Sequence, residues 1–374
     1  MRTAVVSGLS SCLLVAWLGL PGVVRAGGKP IKECKPHAPA VELAIGGAVE
    51  VTQPLEYQNQ RWVLVQDKLV KPDKIRLVAA SGDVIELGKP PSTVEPTQYM
   101  GRGQAFYAVG TARSQTEGKR DVIVLRWGRD PRPRLTTLWT VDAVDGKPRA
   151  AIRDEHMVAL FSRPGADGKP HVMAGAVELE EMRIAPLTDL GERKPDGFFD
   201  VLALAKGFGA SFEGSGGFMR ASFDNHGKSA GPASALQWPG ASSVRALWSC
   251  GERLWILHDA GKELALTVCN DQGAVVELAR LPSAKPEALP ALCTQDGLLL
   301  AHRTANAKDN TVVLSIATID GHGKLHDRPV RDIKGSLDDV REPQLVGSPE
   351  QPSAFWVEGR ATEAKVWSRE LVCE

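Results

Sequence analysis

VVLSIATIDGHGKLHDRPV, residues 312–330, is two extended runs joined by a turn. The first run is rich in β-branched residues, and Asp320-Gly321-His322-Gly323 then supplies turn chemistry. Ahead of it, Gly297-LLLAHR is apolar nearly throughout, as a strand buried on both faces requires. Strand, turn and strand with no amphipathic helix nearby is all-β grammar. Working outward, the question is whether the unit recurs.

It does. Six further runs match Gly297-LLLAHR: Arg61-WVLVQ, Gln104-AFYAVG, His156-MVALFSR, Asp200-VLALAKG, Arg253-LWILHD and Ala354-FWVEGR. Hairpins follow several of them, as in LALTVC-NDQG-AVVELARLP, MRAS-FDNHG-KSAG and IRLVA-ASGD-VIELG. Turn centres near Gly82, Asp130, His226, Gln272 and His322 fit a spacing of about 48 residues. The turn due near residue 178 falls in VELEEMRIAP, which has no glycine, so that unit is degenerate. Seven units of four short strands predict an all-β, seven-bladed β-propeller of four-stranded antiparallel blades. Six blades or paired β-sandwiches are the alternatives; sandwiches do not explain the even spacing. With strands A to D counted from the axis outward, the seven apolar runs are strand B. The recurrent Trp62, Trp255 and Trp356 then belong to packing between blades, as do Trp127 and Trp367 on strand C.

The chain of 374 residues carries 45 basic and 45 acidic side chains with no block of either sign. Nucleic acid is not an expected partner, because phosphate neutralisation needs a clustered basic face. Residues 1–26 have a secretory signal peptide's form. Arg2 precedes an apolar stretch to Leu20, Pro21-Gly22 breaks it, and Val24-Arg25-Ala26 offers a cleavage site. An uncleaved anchor is the competing reading. Residues 27–374 then form a propeller domain with no membrane span, placed in the periplasm or outside the cell.

Export changes how Cys34, Cys250, Cys269, Cys293 and Cys373 are read, since disulfides persist in oxidising compartments. None sits in a C-x-x-C pair. AKVWSRELVC, at 364–373, is strand C of the seventh blade, with no residues left for strand D. Ala40-VELAI is expected to supply it from the N-terminal side. Cys34 then lies beside Cys373, and a disulfide closes the ring. Cys250 and Cys293, on strand A of neighbouring blades, are a second candidate pair, which leaves Cys269 as a buried thiol.

The spacing and hairpin style of residues 40–374 resemble secreted bacterial β-propeller repeat proteins, including the sialidase-like propellers. Asn270-Asp271-Gln272-Gly273 and Asp320-Gly321-His322-Gly323 are loosely similar to that family's Asp-box but lack its trailing Thr-Trp. Arg183-Ile184-Ala185-Pro186 resembles its Arg-Ile-Pro element with an insertion. The family uses an arginine cluster, a tyrosine nucleophile and acidic partners; none of Tyr57, Tyr99 and Tyr107 is assigned that role, so activity is not carried over.

No metalloprotease helix, nucleophile elbow or EF-hand loop occurs. The glycines of Gly207-FGASFEGSGG do not match a nucleotide cradle, and the stretch reads as a loop between strands B and C. No cofactor is expected. The ends of strand B bring Gln66-Asp67, Arg163, Lys206, His258-Asp259, His302-Arg303 and Glu358 to one face. Polar strand ends meeting solvent account for most such residues. His258, His302, Arg303 and Glu358, in three successive blades, are the expected ligand contacts. The functional expectation is an exported propeller binding or scaffold protein that takes a protein or glycan on one face. A degenerate sialidase-like glycoside hydrolase and a structural part of an envelope assembly are the alternatives.

Overall fold

A computed structural model describes residues 31 and 33–374, apart from 44–48, 58–59, 68–73, 80, 129–131, 237, 239–243, 251–252, 270–274, 283–290, 295–296, 307, 321, 342 and 361–362. The proposed signal peptide, residues 1–26, lies outside the described residues.

Among the described residues, thirty strands build seven antiparallel blades and no α-helix separates them. Ahead of the first blade come β1 (Cys34–Pro36) and β2 (Val41–Leu43). Blade 1 is β3 (Val49–Tyr57), β4 (Gln60–Asp67), β5 (Lys74–Ala79) and β6 (Val84–Leu87). Blade 2 is β7 (Val94–Arg102), β8 (Ala105–Arg113), β9 (Arg120–Trp127) and β10 (Arg134–Val141). Blade 3 is β11 (Asp145–Arg153), β12 (His156–Pro164), β13 (Pro170–Glu178) and an outer edge split into β14 (Arg183–Ile184) and β15 (Thr188–Glu192). Blade 4 is β16 (Phe199–Ala203), β17 (Phe208–Gly214), β18 (Gly217–Phe223) and β19 (Ser234–Ala235). Blade 5 is β20 (Val244–Cys250), β21 (Arg253–Ala260), β22 (Glu263–Cys269) and β23 (Val275–Pro282). Blade 6 is β24 (Ala291–Cys293), β25 (Leu298–Asn306), β26 (Thr311–Ile319) and β27 (Leu325–Lys334). Blade 7 is β28 (Gln344–Gly347), β29 (Pro352–Glu358) and β30 (Lys365–Cys373). The first strands touch in a closed circuit, β3 to β7 and on through β28 back to β3.

The second strand of each blade is dry on both faces because neighbouring blades cover it. Met157 to Phe161 of β12 are fully buried, and alternate residues face opposite seams. Val158 and Leu160 pack toward blade 4, Met157 and Ala159 toward blade 2. The tryptophans read as core are buried: Trp62, Trp127, Trp255 and Trp356 are all below 4% exposed, and Trp367 is half-buried. A β-bulge recurs where the first and second strands pair, at Thr52/Pro54, Pro96/Gln98 and Val244/Ala246. Bulges raise local twist. Their recurrence at one place marks the blades as repeats more clearly than the residues do.

Two expectations shift. Asp200-VLALAKG is not a second strand: Phe199–Ala203 is β16, the innermost strand of blade 4. The glycine-rich stretch read as a loop contains β17, the true second strand, joined to β18 by a two-residue turn. Phe208, Ala210 and Phe212 fill its core positions, and a Cβ on its Gly209 or Gly214 would crowd Leu204 or Met219. A Cβ on Gly207 would lie 1.9 Å from the Phe223 carbonyl oxygen. In blade 3 the turn without glycine is made by Met182 in the left-handed region, at φ 53°.

Closure is as expected and doubled. Both β1 and β2 pair antiparallel with β30, in register Cys34↔Cys373 and Val41↔Ser368. Cys34 and Cys373 form a disulfide with Cα atoms 4.0 Å apart, and Cys250–Cys293 forms a second at 5.1 Å. Cys269 is a buried thiol. The second bond ties β20 to β24, so it clamps adjacent blades beside the axis.

Candidate functional site

The two ends of the propeller differ in what builds them. One carries the turns from first to second and from third to fourth strands. The other carries the turns from second to third strands and the links between blades.

On the first of these faces the turns of blades 2 and 3 enclose a cavity of about 630 Å³. Arg102, Gln104, Tyr107 and Arg126 line it from blade 2, Asp154 and Glu155 from blade 3. Asp154 turns the β11–β12 hairpin in the left-handed region at φ 50°, which aspartate tolerates better than most residues. That geometry lets it meet Arg102 of the opposite wall at 3.2 Å and its neighbour Arg153 at 3.4 Å. Tyr107 is only 4% exposed, with its ring in the seam and the Arg126 guanidinium 5.9 Å from the ring centre. Burial raises the phenol's pKa, Arg126 opposes the rise and the Glu155 charge adds to it. The phenol therefore stays protonated at neutral pH and acts as a hydrogen-bond donor. With Glu180 of the β13–β14 turn, two guanidiniums, three carboxylates, an amide and a phenol make a polar, mixed-charge cleft with an aromatic wall.

The strand-end residues expected to bind ligand occupy three different seams. His258, on β21, faces blade 4, with its ring edge-on to Trp238 at 4.7 Å and Nδ1 3.1 Å from the Asp259 carbonyl oxygen. His302, on β25, meets Asp327 through Nε2 at 3.0 Å. Arg303 turns the other way and donates to the Leu337 and Val340 carbonyls. Glu358 of β29 pairs with Arg331 of β27 at 2.8 Å and accepts from Trp356 Nε1 at 2.8 Å. Arg303 and Glu358 thus share the seam between blades 6 and 7. Both histidines are nearly fully buried, and among the described residues His258 Nε2 and His302 Nδ1 have no hydrogen-bond partner.

The other strand-end residues separate. Gln66 donates to the Tyr99 hydroxyl at 2.9 Å across the first seam. Lys206 follows β16, so it lies on the opposite face from the rest. Arg183 of the Arg-Ile-Ala-Pro stretch sits on the exposed outer edge of blade 3, paired with Glu178 and Glu181. Tyr57 and Tyr99 are core residues around Phe106. Among the described residues, no group of three or more His, Cys, Asp or Glu is placed to hold a metal ion. No described helix is long and apolar enough to cross a membrane.

Nothing in the sequence singled out the Tyr107 cleft. Its residues lie at strand ends and hairpin turns of two blades, about 50 positions apart, and only the side-by-side packing of blades joins them.

No protein-family model matches the chain. No curated protein matches it. Among solved structures, TolB from Acinetobacter baumannii is similar at 12% identity and TM-score 0.43, over 77% of this chain and 65% of TolB. The β-propeller domain of the Trilobed protease from Pyrococcus furiosus, described as having an open velcro topology, is similar at 10% identity and TM-score 0.49, over 87% and 94%. Trypanosoma rangeli sialidase, in complex with the inhibitor DANA, is similar at 10% identity and TM-score 0.43, over 87% of this chain and 60% of the sialidase. The chain thus spans less than two thirds of the TolB and sialidase lengths.

Proposed function

We propose that this protein is an exported propeller that binds a glycan in the cleft between blades 2 and 3. The observation that carries the reading is the convergence of the Tyr107 phenol with Arg102, Arg126, Gln104, Asp154 and Glu155 around one cavity. Hydroxyl-rich ligands need donors and acceptors in alternation beside an aromatic surface, and this wall offers both. The raised pKa of Tyr107 supports binding over hydrolysis, because a tyrosine nucleophile needs an accessible phenolate. Two disulfides support export, since such bonds persist in oxidising compartments.

A second reading keeps His258, His302, Arg303 and Glu358 as the ligand contacts. The two unpartnered ring nitrogens favour it, because buried polar atoms are normally satisfied. One experiment separates the two. The protein is screened on a glycan array, and the best saccharide is titrated against Tyr107→Phe, Arg126→Ala and a His258→Ala/His302→Ala double variant. The cleft reading expects about tenfold or greater weakening in the first two and none in the third. Unchanged affinity in Tyr107→Phe and Arg126→Ala overturns it, and a loss confined to the histidine variant establishes the second.

A further inference from the structure

The opposite face of the same two blades carries a separate feature. Arg113 ends β8 and Arg120 begins β9, and the two are direct cross-strand partners at the mouth of that hairpin. Like charges opposed across a strand pair are destabilising, so this is a costly arrangement for the empty protein. Both are exposed, and among the described residues neither side chain makes a hydrogen bond or ion pair.

Two adjoining hollows, of about 580 and about 250 Å³, meet at this point, and Arg120 and Val144 line both. Arg113 and Lys119 flank the larger, Lys147 of β11 the smaller. The carboxylates lining them are Asp142, held 3.7 Å from Lys119, and Glu95. Glu117 lies in the same turn, exposed. Asp145 is bound to Arg193, and Asp121, next to Arg120 on β9, alternates to the other face of the sheet, where it accepts from Thr140.

We propose that Arg113 and Arg120, with Lys119 and Lys147, bind a phosphate or sulfate group carried on a small ligand. Two guanidinium forks side by side match the oxygens of a tetrahedral oxyanion, and the lysines add charge without demanding geometry. The bound anion would relieve the repulsion between the opposed arginines, so binding and stabilisation are one event at this site.

That linkage sets the test. Thermal unfolding of the purified protein is followed in hexose phosphate, hexose sulfate, free hexose and inorganic phosphate, each matched in ionic strength with chloride. The expected result is a rise in Tm with the phosphorylated or sulfated sugar beyond any given by free hexose, whose own effect belongs to the Tyr107 cleft. A rise with inorganic phosphate as well shows that the oxyanion alone is recognised; a rise with the esters alone shows that the sugar contributes. An Arg113→Gln/Arg120→Gln variant is expected to be at least as stable as the wild type without anion and to lose the anion-induced rise. Each single variant should weaken binding about tenfold. No rise beyond chloride, or an undiminished rise in the double variant, overturns the proposal. Tyr107→Phe lies on the other face and should leave the response unchanged, so failure here and failure of the glycan cleft are told apart.

Discussion

Replacing Cys34 and Cys373 together by serine removes the covalent closure of the ring. That bond joins residues 339 apart in sequence, whereas Cys250–Cys293 joins residues 43 apart. In the loop-entropy account the constraint on the unfolded chain grows with the logarithm of loop length. It comes to about 6 kcal/mol for the first bond and about 4 kcal/mol for the second. Residual structure in the unfolded chain lowers both, so the difference of about 2 kcal/mol is the firmer quantity. The pairs share the same chemistry of sulfur loss, which cancels in the comparison. The assay is urea unfolding followed by tryptophan fluorescence, with Cys269→Ala in every variant so that no thiol can exchange. Cys34→Ser/Cys373→Ser should have the lower stability of the two. If Cys250→Ser/Cys293→Ser loses as much or more, closing the long loop is not what the terminal bond contributes, and clamping two blades at the axis matters more.

Two other perturbations test the seams and the surface. Gly175, on β13, lies under Trp139 of blade 2, and a Cβ there would meet the indole at 2.1 Å. Gly175→Ala should cost about 1–3 kcal/mol and lower the urea midpoint; a neutral result would mean that the indole swings aside freely. The Asp339 carboxyl is held down to about 2 by the Ser336 amide and hydroxyl and by Arg360. Since its folded pKa is depressed, its contribution is present above about pH 4 and is lost as pH falls toward 2. Asp339→Asn should flatten that part of the stability–pH curve, and an identical acid limb in both proteins would contradict it.

What the sequence displays of this fold is what one blade can display alone. Dry second strands such as Met157–Phe161 are continuous apolar runs, so they stand out. Aspartate–glycine turns stand out for the same reason: Gly227 and Gly323 adopt the positive φ that the turn demands. Blade 4 escaped the rule because β17 satisfies its core with Phe208, Ala210 and Phe212 amid glycines, a pattern that reads as loop. Leu202 and Ala203 lent β16 an apolar run, but Leu202 is only partly buried beside the axis and Ala203 is exposed. Cys34–Cys373 was legible because ring closure fixes which strand ends meet, and Cys250–Cys293 because both lie on innermost strands of neighbouring blades. The clefts were not. Tyr107 and Glu155, or Arg120 and Lys147, become neighbours only through the packing of separate blades, which no local pattern encodes.

The doubled pairing of β30 also bears on the order of events while the chain is made. Residues 34–43 are made before any of the seven blades, yet their partner, β30, is made after the other blade strands. For most of synthesis the early segment waits with its backbone groups open to water. Six blades can gather by local hairpins, whereas the seventh depends on the longest-range contact in the molecule, the slowest kind to form. Before the clasp engages, both β3 and β28 lack full cover, so the nascent ring has two adhesive flanks at once. Oxidation of Cys34 with Cys373 can then follow only after the last blade has docked, and it records that assembly has finished.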